Sequence, residues 1–230
     1  MNATTQLSDP TLASTPLIDS DHPAVIAFAR EHVRGLAQKG ERERAVALYL
    51  AVRDGFRYDP YRIDLRPEGM RASSVLATGH GWCVTKSALL AAACRAVGIG
   101  ARVGYADVRN HLSTERMRQV MKTDVFYWHG YTDVRVDGRW WKATPAFNIE
   151  LTERFGLLPL EWDGASDSIY HPFDKSGQRH MEYLHQRGSF DDMPLAQIVA
   201  DFAVHYPWMQ VPGAALQGAD FDADVARETR

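Results

Sequence analysis

The sequence predicts an α+β protein in which N-terminal helices pack on an antiparallel, barrel-like β-sheet. Three observations indicate this fold class. Apolar residues recur at helical spacing through much of the N-terminal half. The alanine- and leucine-rich run 84–97 is apolar enough to be a buried helix. The runs on either side of Asp137-Gly138 have strand character, and this dipeptide between two such runs is a strong hairpin signal.

The elements before the sheet are predicted from caps and breakers. Asp21 is placed to cap a helix that has Pro23 in its first turn, and Gly98 is placed to end a helix that begins at Trp82. The predicted elements are a helix over 21–35, a helix over 41–53, an extended or looped stretch over 56–66, a glycine-containing approach over 73–81, and a helix from 82 to 98.

The remaining elements are predicted from alternation and helical spacing. They are a strand over 101–108, a helical or irregular stretch over 112–123, strands over 125–136 and 139–147, a short helix over 180–186, and a helix over 194–205. We expect a single domain with a core at about 22–150, a C-terminal extension over 151–210, and loose termini over 1–20 and 212–230.

Composition excludes several classes of protein. The 230 residues are 45% hydrophobic and 24% charged, as in ordinary globular proteins. A net charge of −3 gives no electrostatic footprint for nucleic acid or for an anionic membrane. Without a signal-peptide pattern or an apolar run long enough to span a bilayer, a cytoplasmic location is expected. Two cysteines are too few for a disulfide-built scaffold, and nothing indicates the oligomeric state.

Cys83 follows Gly81-Trp82 and opens the apolar run, so it is predicted to lie in the first turn of a helix. Unpaired backbone N–H groups and the positive end of the helix dipole meet there. That position favours the thiolate, which is the nucleophilic form of cysteine. We therefore expect Cys83 to be a nucleophile, whereas Cys94, deep in the same run, is expected to be a buried apolar residue.

His129 lies on the first strand of the predicted hairpin. If Asp137-Gly138 is a two-residue turn, Val136 pairs with Arg139, and alternation sorts the side chains onto two faces. Phe126, Trp128, Val134 and Val136 then share a core face, while His129 lies on the polar face. Ala146 would be its direct partner, with Thr144 and Asn148 as diagonal neighbours.

These residues resemble the transglutaminase-like superfamily of papain-like fold, in a bacterial subgroup. The resemblance is carried by the segments 79–88 and 95–102, by His129 and by the hairpin turn 137–140, and it covers roughly residues 40–150. The segment 155–205 looks like an extension. The resemblance implies that Cys83 is the nucleophile and that His129 is the general base.

One position departs from the family pattern. The family usually places an aspartate on the second hairpin strand to orient the histidine, and Thr144 stands there instead. A threonine hydroxyl can accept a hydrogen bond from the imidazole N–H, but it cannot supply a negative charge. Thr144 is therefore the candidate third catalytic residue. Asn148 is a second candidate for the orienting role, and Asp133 is a weaker one.

The resemblance implies a cysteine enzyme that attacks an amide or ester carbonyl and forms a thioacyl intermediate. The substrate would be a peptide, a protein or a small amide, and hydrolysis is favoured over transfer to an amine. The alternative is a catalytically silent module that binds a peptide or protein partner. No cofactor is expected, and no metal either, because the spacing of His171, His180 and His185 fits no common zinc pattern.

Overall fold

The computed structural model describes residues 9–110, 113–169, 181–210, 216 and 218–229. Within these ranges, helices from the N-terminal half pack on a curled four-stranded antiparallel sheet, which confirms the predicted fold class. None of the helices described here is both long enough and apolar enough to cross a lipid bilayer. The cytoplasmic location stays a prediction.

The helices and strands follow one another in a mixed order. They are α1 (Pro23–Val33), α2 (Glu41–Gly55), β1 (Arg57–Tyr58), α3 (Pro67–Met70), α4 (Ala72–Thr78), β2 (His80–Gly81), α5 (Cys83–Ala96), β3 (Ala101–Asn110), α6 (Glu115–Met121), β4 (Val125–Val136), β5 (Arg139–Ala143), α7 (Ile149–Arg154), β6 (Met181–Phe190), α8 (Leu195–His205) and α9 (Phe221–Glu228).

Helix α5 is the centre of the molecule. It is buried from Cys83 to Arg95 and packs against α1, α2, α4 and β4. The backbone N–H of Trp82, just before the helix, donates to the Thr85 hydroxyl over 3.1 Å. This bond fixes the direction in which the chain enters the first turn. Small alanine side chains on α5 let the surrounding elements approach closely, so the predicted buried helix is confirmed.

Lys86 is a fully buried lysine on α5, one turn after Cys83. Its ammonium donates to the backbone carbonyls of Arg53, Phe56 and Ala146, each over 2.8 Å. Burial lowers the pKa of Lys86 to about 7, while the three carbonyls offer one acceptor to each ammonium hydrogen. Lys86 therefore joins the end of α2 to the chain that follows β5.

The sheet has the strand order β5-β4-β3-β6, and its neighbouring strands are antiparallel. In the hairpin, Val136 pairs with Arg139 and Val134 pairs with Trp141, so the predicted register is confirmed. Asp137 (φ 51°) and Gly138 (φ 77°) both have positive φ, as a two-residue hairpin turn requires. β5 ends at Ala143, four residues earlier than predicted, and an irregular segment follows.

One predicted element was wrong. Residues 180–186 were expected to form a short helix, but residues 181–190 form strand β6, and position 180 lies outside the described residues. β6 pairs with β3 over its whole length. The sequence could not supply this information, because pairing with a distant strand decides the structure of a segment with weak local preference.

The described parts of both terminal segments contact the rest of the protein, and the loose termini over 1–20 and 212–230 stay a prediction. Leu17 and Ile18 are buried, and Arg95 on α5 donates to the carbonyl of Ala13 over 2.6 Å. At the other end, Asp220 caps α9, and the ring of Phe221 packs edge-on against that of Tyr61 at 5.2 Å. Phe221, the buried Val225 and the Asp224 carboxylate, which accepts from Tyr61 and Arg116, anchor α9.

We expect Lys86→Met to lower the free energy of unfolding by about 3 kcal/mol, because methionine leaves three buried carbonyls without a donor. Urea unfolding followed by circular dichroism measures this change. The matched control is Lys39→Met at an exposed position, which should change stability by less than about 0.5 kcal/mol. Equal losses for the two variants would contradict the role assigned to Lys86.

Candidate active site

Cys83 is the first residue of α5, as predicted, and its side chain is nearly sealed, with the residue 6% exposed. The backbone N–H groups of Gly130 and Val84 act on its sulfur and favour its ionised form. The first donor comes from the sheet and the second from the start of α5. The Cys83 sulfur therefore lies where the helix meets strand β4.

Gly130 makes this meeting possible. A Cβ atom at position 130 would lie 2.9 Å from the Cys83 carbonyl oxygen and 2.9 Å from the Val84 Cα. Both are backbone atoms that cannot move aside, so no larger residue fits. Gly130 is not among the candidate residues predicted from the sequence, where its only signal is its place directly after the candidate histidine.

A β-bulge precedes His129 on β4. Ala106 on β3 pairs with His129 and Val108 pairs with Phe126, so Asp107 alone faces Tyr127 and Trp128. Trp128 has φ of 60°, a conformation that costs a bulky residue about 1–3 kcal/mol. The strict alternation assumed over 126–129 therefore does not hold, although Trp128 does pack in the core beside Tyr105.

Charged and polar side chains hold the bulge. The Asp107 carboxylate accepts the backbone N–H of Trp128 over 3.1 Å and pairs with Arg187. Arg187 also pairs with Asp201, whose carboxylate accepts the Trp128 indole N–H over 2.9 Å. Tyr206 accepts the N–H of Tyr127 over 2.8 Å. These partners replace the strand pairing that the bulge removes.

His129 is buried and has no charged partner among the residues that the structure describes. Its Nε2 atom makes no hydrogen bond to any residue that the structure describes. Burial alone lowers the pKa of His129 to about 4, so the imidazole is neutral at pH 7. His129 lines the same cleft as Cys83, but no hydrogen bond joins the two side chains within the described part of the chain.

Thr144 lies beside His129 in a second, smaller cavity of about 250 Å³. Its hydroxyl donates to the carbonyl of Ile169 over 2.8 Å, and its backbone N–H donates to Ser168. No hydrogen bond to His129 is present among the described residues, but the lone pairs of the hydroxyl oxygen face no described donor. Thr144 is thus close to the histidine without orienting it in this state.

The two other candidates for the orienting role are engaged elsewhere. The side-chain oxygen of Asn148 accepts the backbone N–H of Tyr58 over 3.1 Å. Asp133 accepts the Ser189 hydroxyl and lies 3.9 Å from Arg102. Neither is bonded to His129 in the described ranges, and Asp133 sits further along the strand as expected.

The cleft beside Cys83 contains about 480 Å³ of empty space, counting its mouth. Its walls come from the segment after β1, from α6, from β4 and from the chain at and after α8. Its other described lining residues are apolar or aromatic: Tyr58, Pro60, Ile63, Trp82, Met117, Met121, Phe126, Tyr127, Phe202, Tyr206, Trp208, Met209 and Leu216.

Burial dominates the protonation of the thiol. It raises the pKa of Cys83 to about 11, although backbone N–H groups of Gly130, Val84 and Cys83 itself act to lower that pKa. The expected thiolate is therefore not the resting form, because desolvation outweighs the favourable helix terminus. A neutral thiol and a neutral imidazole can still exchange a proton while the sulfur attacks.

No group of three histidine, cysteine, aspartate or glutamate residues in the described ranges is arranged to hold a metal ion. His185 lies on β6, opposite Asp107. The other two histidines considered for a metal, His171 and His180, lie outside the described residues.

Acid should destabilise the protein through His129. The unfolded chain binds a proton near the ordinary pKa of 6.5, while the folded chain resists it until about pH 4, so stability falls as pH drops through that window. The loss approaches about 3 kcal/mol at pH 4. Urea unfolding of wild type and His129→Gln at several pH values measures it. Curves that fall in parallel between pH 6.5 and 4 would contradict the buried neutral imidazole.

Two solved structures are similar to parts of this chain. A solved structure of a candidate cysteine protease from Cytophaga hutchinsonii is similar, with a TM-score of 0.48 and 15% identity over 84% of this chain and 50% of that one. A candidate protease from Parabacteroides distasonis has a TM-score of 0.37 and 17% identity, over 56% and 26% of the two chains. This chain thus spans half or less of the length of these two proteins.

No curated protein matches the sequence. The family model described as the transglutaminase-like superfamily matches residues 26–145, a range that contains Cys83, His129 and Thr144. This match covers more than half of the 230 residues, and the chain belongs to the transglutaminase-like superfamily.

Proposed function

We propose that this protein is a cysteine enzyme that cleaves an amide or ester bond through a thioacyl intermediate. The observation that carries the proposal is the position of the Cys83 sulfur. Cys83 is the first residue of α5, backbone N–H groups favour the ionised form of its sulfur, and it lines a cleft shared with His129. Membership of the transglutaminase-like superfamily supports this reading.

In the proposed reaction, His129 Nε2 accepts the thiol proton as the sulfur attacks the substrate carbonyl carbon. This atom has no partner among the described residues, so it is available as an acceptor. A rotation of one of the two side chains is required, because no hydrogen bond joins them in the described part of the resting structure. The backbone N–H groups at the start of α5 then stabilise the oxyanion.

The tetrahedral intermediate collapses when the carbon–nitrogen or carbon–oxygen bond breaks. The imidazolium of His129 returns its proton to the leaving amine or alcohol, and the acyl group remains on the Cys83 sulfur as a thioester. Water then attacks the thioester carbonyl with His129 as general base and releases a carboxylic acid. Attack by an amine would instead give transfer. We place hydrolysis ahead of transfer, with a peptide, a protein or a small amide as substrate.

A second candidate function is a catalytically silent module that binds a peptide or protein partner. The observation that favours it is the sealed, protonated state of Cys83. In this reading, the cleft is a binding surface and the sulfur is only part of its floor. Trapping of an acyl group on Cys83 separates the two candidates.

The enzyme should accumulate an acyl group on Cys83. Incubation with p-nitrophenyl butyrate is expected to release a burst of p-nitrophenolate and to add one butyryl group to Cys83, located by peptide mass spectrometry. Cys83→Ser should abolish the burst, and Cys94→Ser should leave it unchanged because Cys94 is buried away from the cleft. An unmodified Cys83 after prolonged incubation would favour the silent module.

Thr144 is the proposed orienting residue. Its hydroxyl donates a hydrogen bond to the carbonyl of Ile169. The hydroxyl oxygen can therefore still accept a hydrogen bond from the imidazole N–H of His129. We expect Thr144→Val to slow acylation of Cys83 by about tenfold, the worth of one hydrogen bond. Thr144→Ser keeps the hydroxyl and should retain most of the rate. Equal rates for valine and threonine at this position would exclude the role.

A further inference from the structure

The cleft beside Cys83 carries no charged side chain. No aspartate, glutamate, lysine or arginine is present among its described lining residues, and its histidine is neutral at pH 7. A charged group moved into such a site loses its hydration and gains no partner, which costs several kilocalories per mole. An apolar group entering the same site gains free energy with each methylene buried.

Two separate parts of the chain build the apolar walls. One wall is formed by Met117 and Met121 from α6, which lies within the family match. The facing wall includes Tyr206, Trp208 and Met209, which lie beyond residue 145. Methionine side chains are flexible and adapt to apolar ligands of different shape.

One unused donor lies in the second wall. The indole Nε1 of Trp208 is buried and has no hydrogen-bond partner among the described residues. Burying an unpaired N–H is unfavourable, so a ligand with a neutral acceptor would satisfy it. An apolar lining with a few isolated polar atoms is typical of small-molecule sites.

We infer that the acyl group of the substrate is uncharged and apolar, aliphatic or aromatic, and that it lies in this cleft with its carbonyl carbon at the Cys83 sulfur. The inference rests on the proposed function for the role of the sulfur. It adds that the residues around the cleft select the substrate by exclusion of charge. The segment over 206–209 would be the specificity-determining part.

The test uses alkylation, which needs no acyl chemistry. The full-length protein is treated with N-methyl-, N-propyl- and N-pentyl-iodoacetamide, and with N-(2-carboxyethyl)- and N-(2-aminoethyl)-iodoacetamide. Rates of Cys83 modification come from mass spectrometry and are divided by the rates for free cysteine. Each added methylene should raise the rate about threefold to fourfold until the cleft is filled. Both charged reagents should react at least tenfold more slowly than N-propyl-iodoacetamide.

Met209→Glu places a carboxylate in the wall and should raise the rate of the aminoethyl reagent relative to the propyl reagent at least tenfold. The matched control is Val204→Glu on α8, at a position that is 74% exposed, which should change neither rate. If Met209→Glu fails to fold, the chain-length series on the wild-type protein decides alone. Charged reagents that react as fast as apolar ones would overturn the inference.

Failure of this inference and failure of the proposed function give different results. If alkylation shows the apolar preference but no acyl-enzyme forms, the cleft binds apolar groups and the proposed enzymatic function is wrong. If an acyl-enzyme forms best from a charged ester, such as mono-p-nitrophenyl succinate, the proposed enzymatic function holds and the inference of an apolar acyl group is wrong.

Discussion

The contact between Gly130 on β4 and the first turn of α5 is the constraint on which the site depends. The missing side chain at position 130 lets the strand backbone reach the Cys83 carbonyl and the Val84 Cα. Only at that separation can the Gly130 N–H reach the sulfur. The same contact brings His129, the preceding residue, to the edge of the cleft. Any side chain at position 130 would push the helix and the sheet apart and disrupt the site.

Burial and the helix terminus act on the thiol in opposite directions, and burial is the stronger effect. It raises the pKa of Cys83 and lowers that of His129, so both side chains rest neutral at pH 7. Two neutral side chains avoid the unfavourable free energy of burying two charges. In the proposed reaction, charge would develop only when the sulfur attacks, at the point where backbone N–H groups can stabilise the oxyanion.

The sequence was sufficient for the features set by local rules. Helix α5 and the hairpin register follow from apolar spacing and from the Asp137-Gly138 turn. The features set by distant partners were not accessible. The bulge at Trp128 depends on Asp107, Arg187 and Tyr206, which lie on three other elements or segments. Alternation, which takes no account of the bulge, placed His129 on the polar face of the strand, but it could not predict that His129 is buried.

Tyr206 lines the cleft and also contacts the strand that carries His129. Its ring lines the apolar wall of the cleft, while its hydroxyl accepts the N–H of Tyr127 and donates to the carbonyl of Val125 over 2.9 Å. One side chain therefore lines the cleft and also fixes the bulge before His129. Tyr206 lies beyond the family match. The segment after α8 therefore both lines the cleft and supports the backbone of β4. A change in the cleft wall at this residue would also shift the geometry of the Cys83–His129 pair.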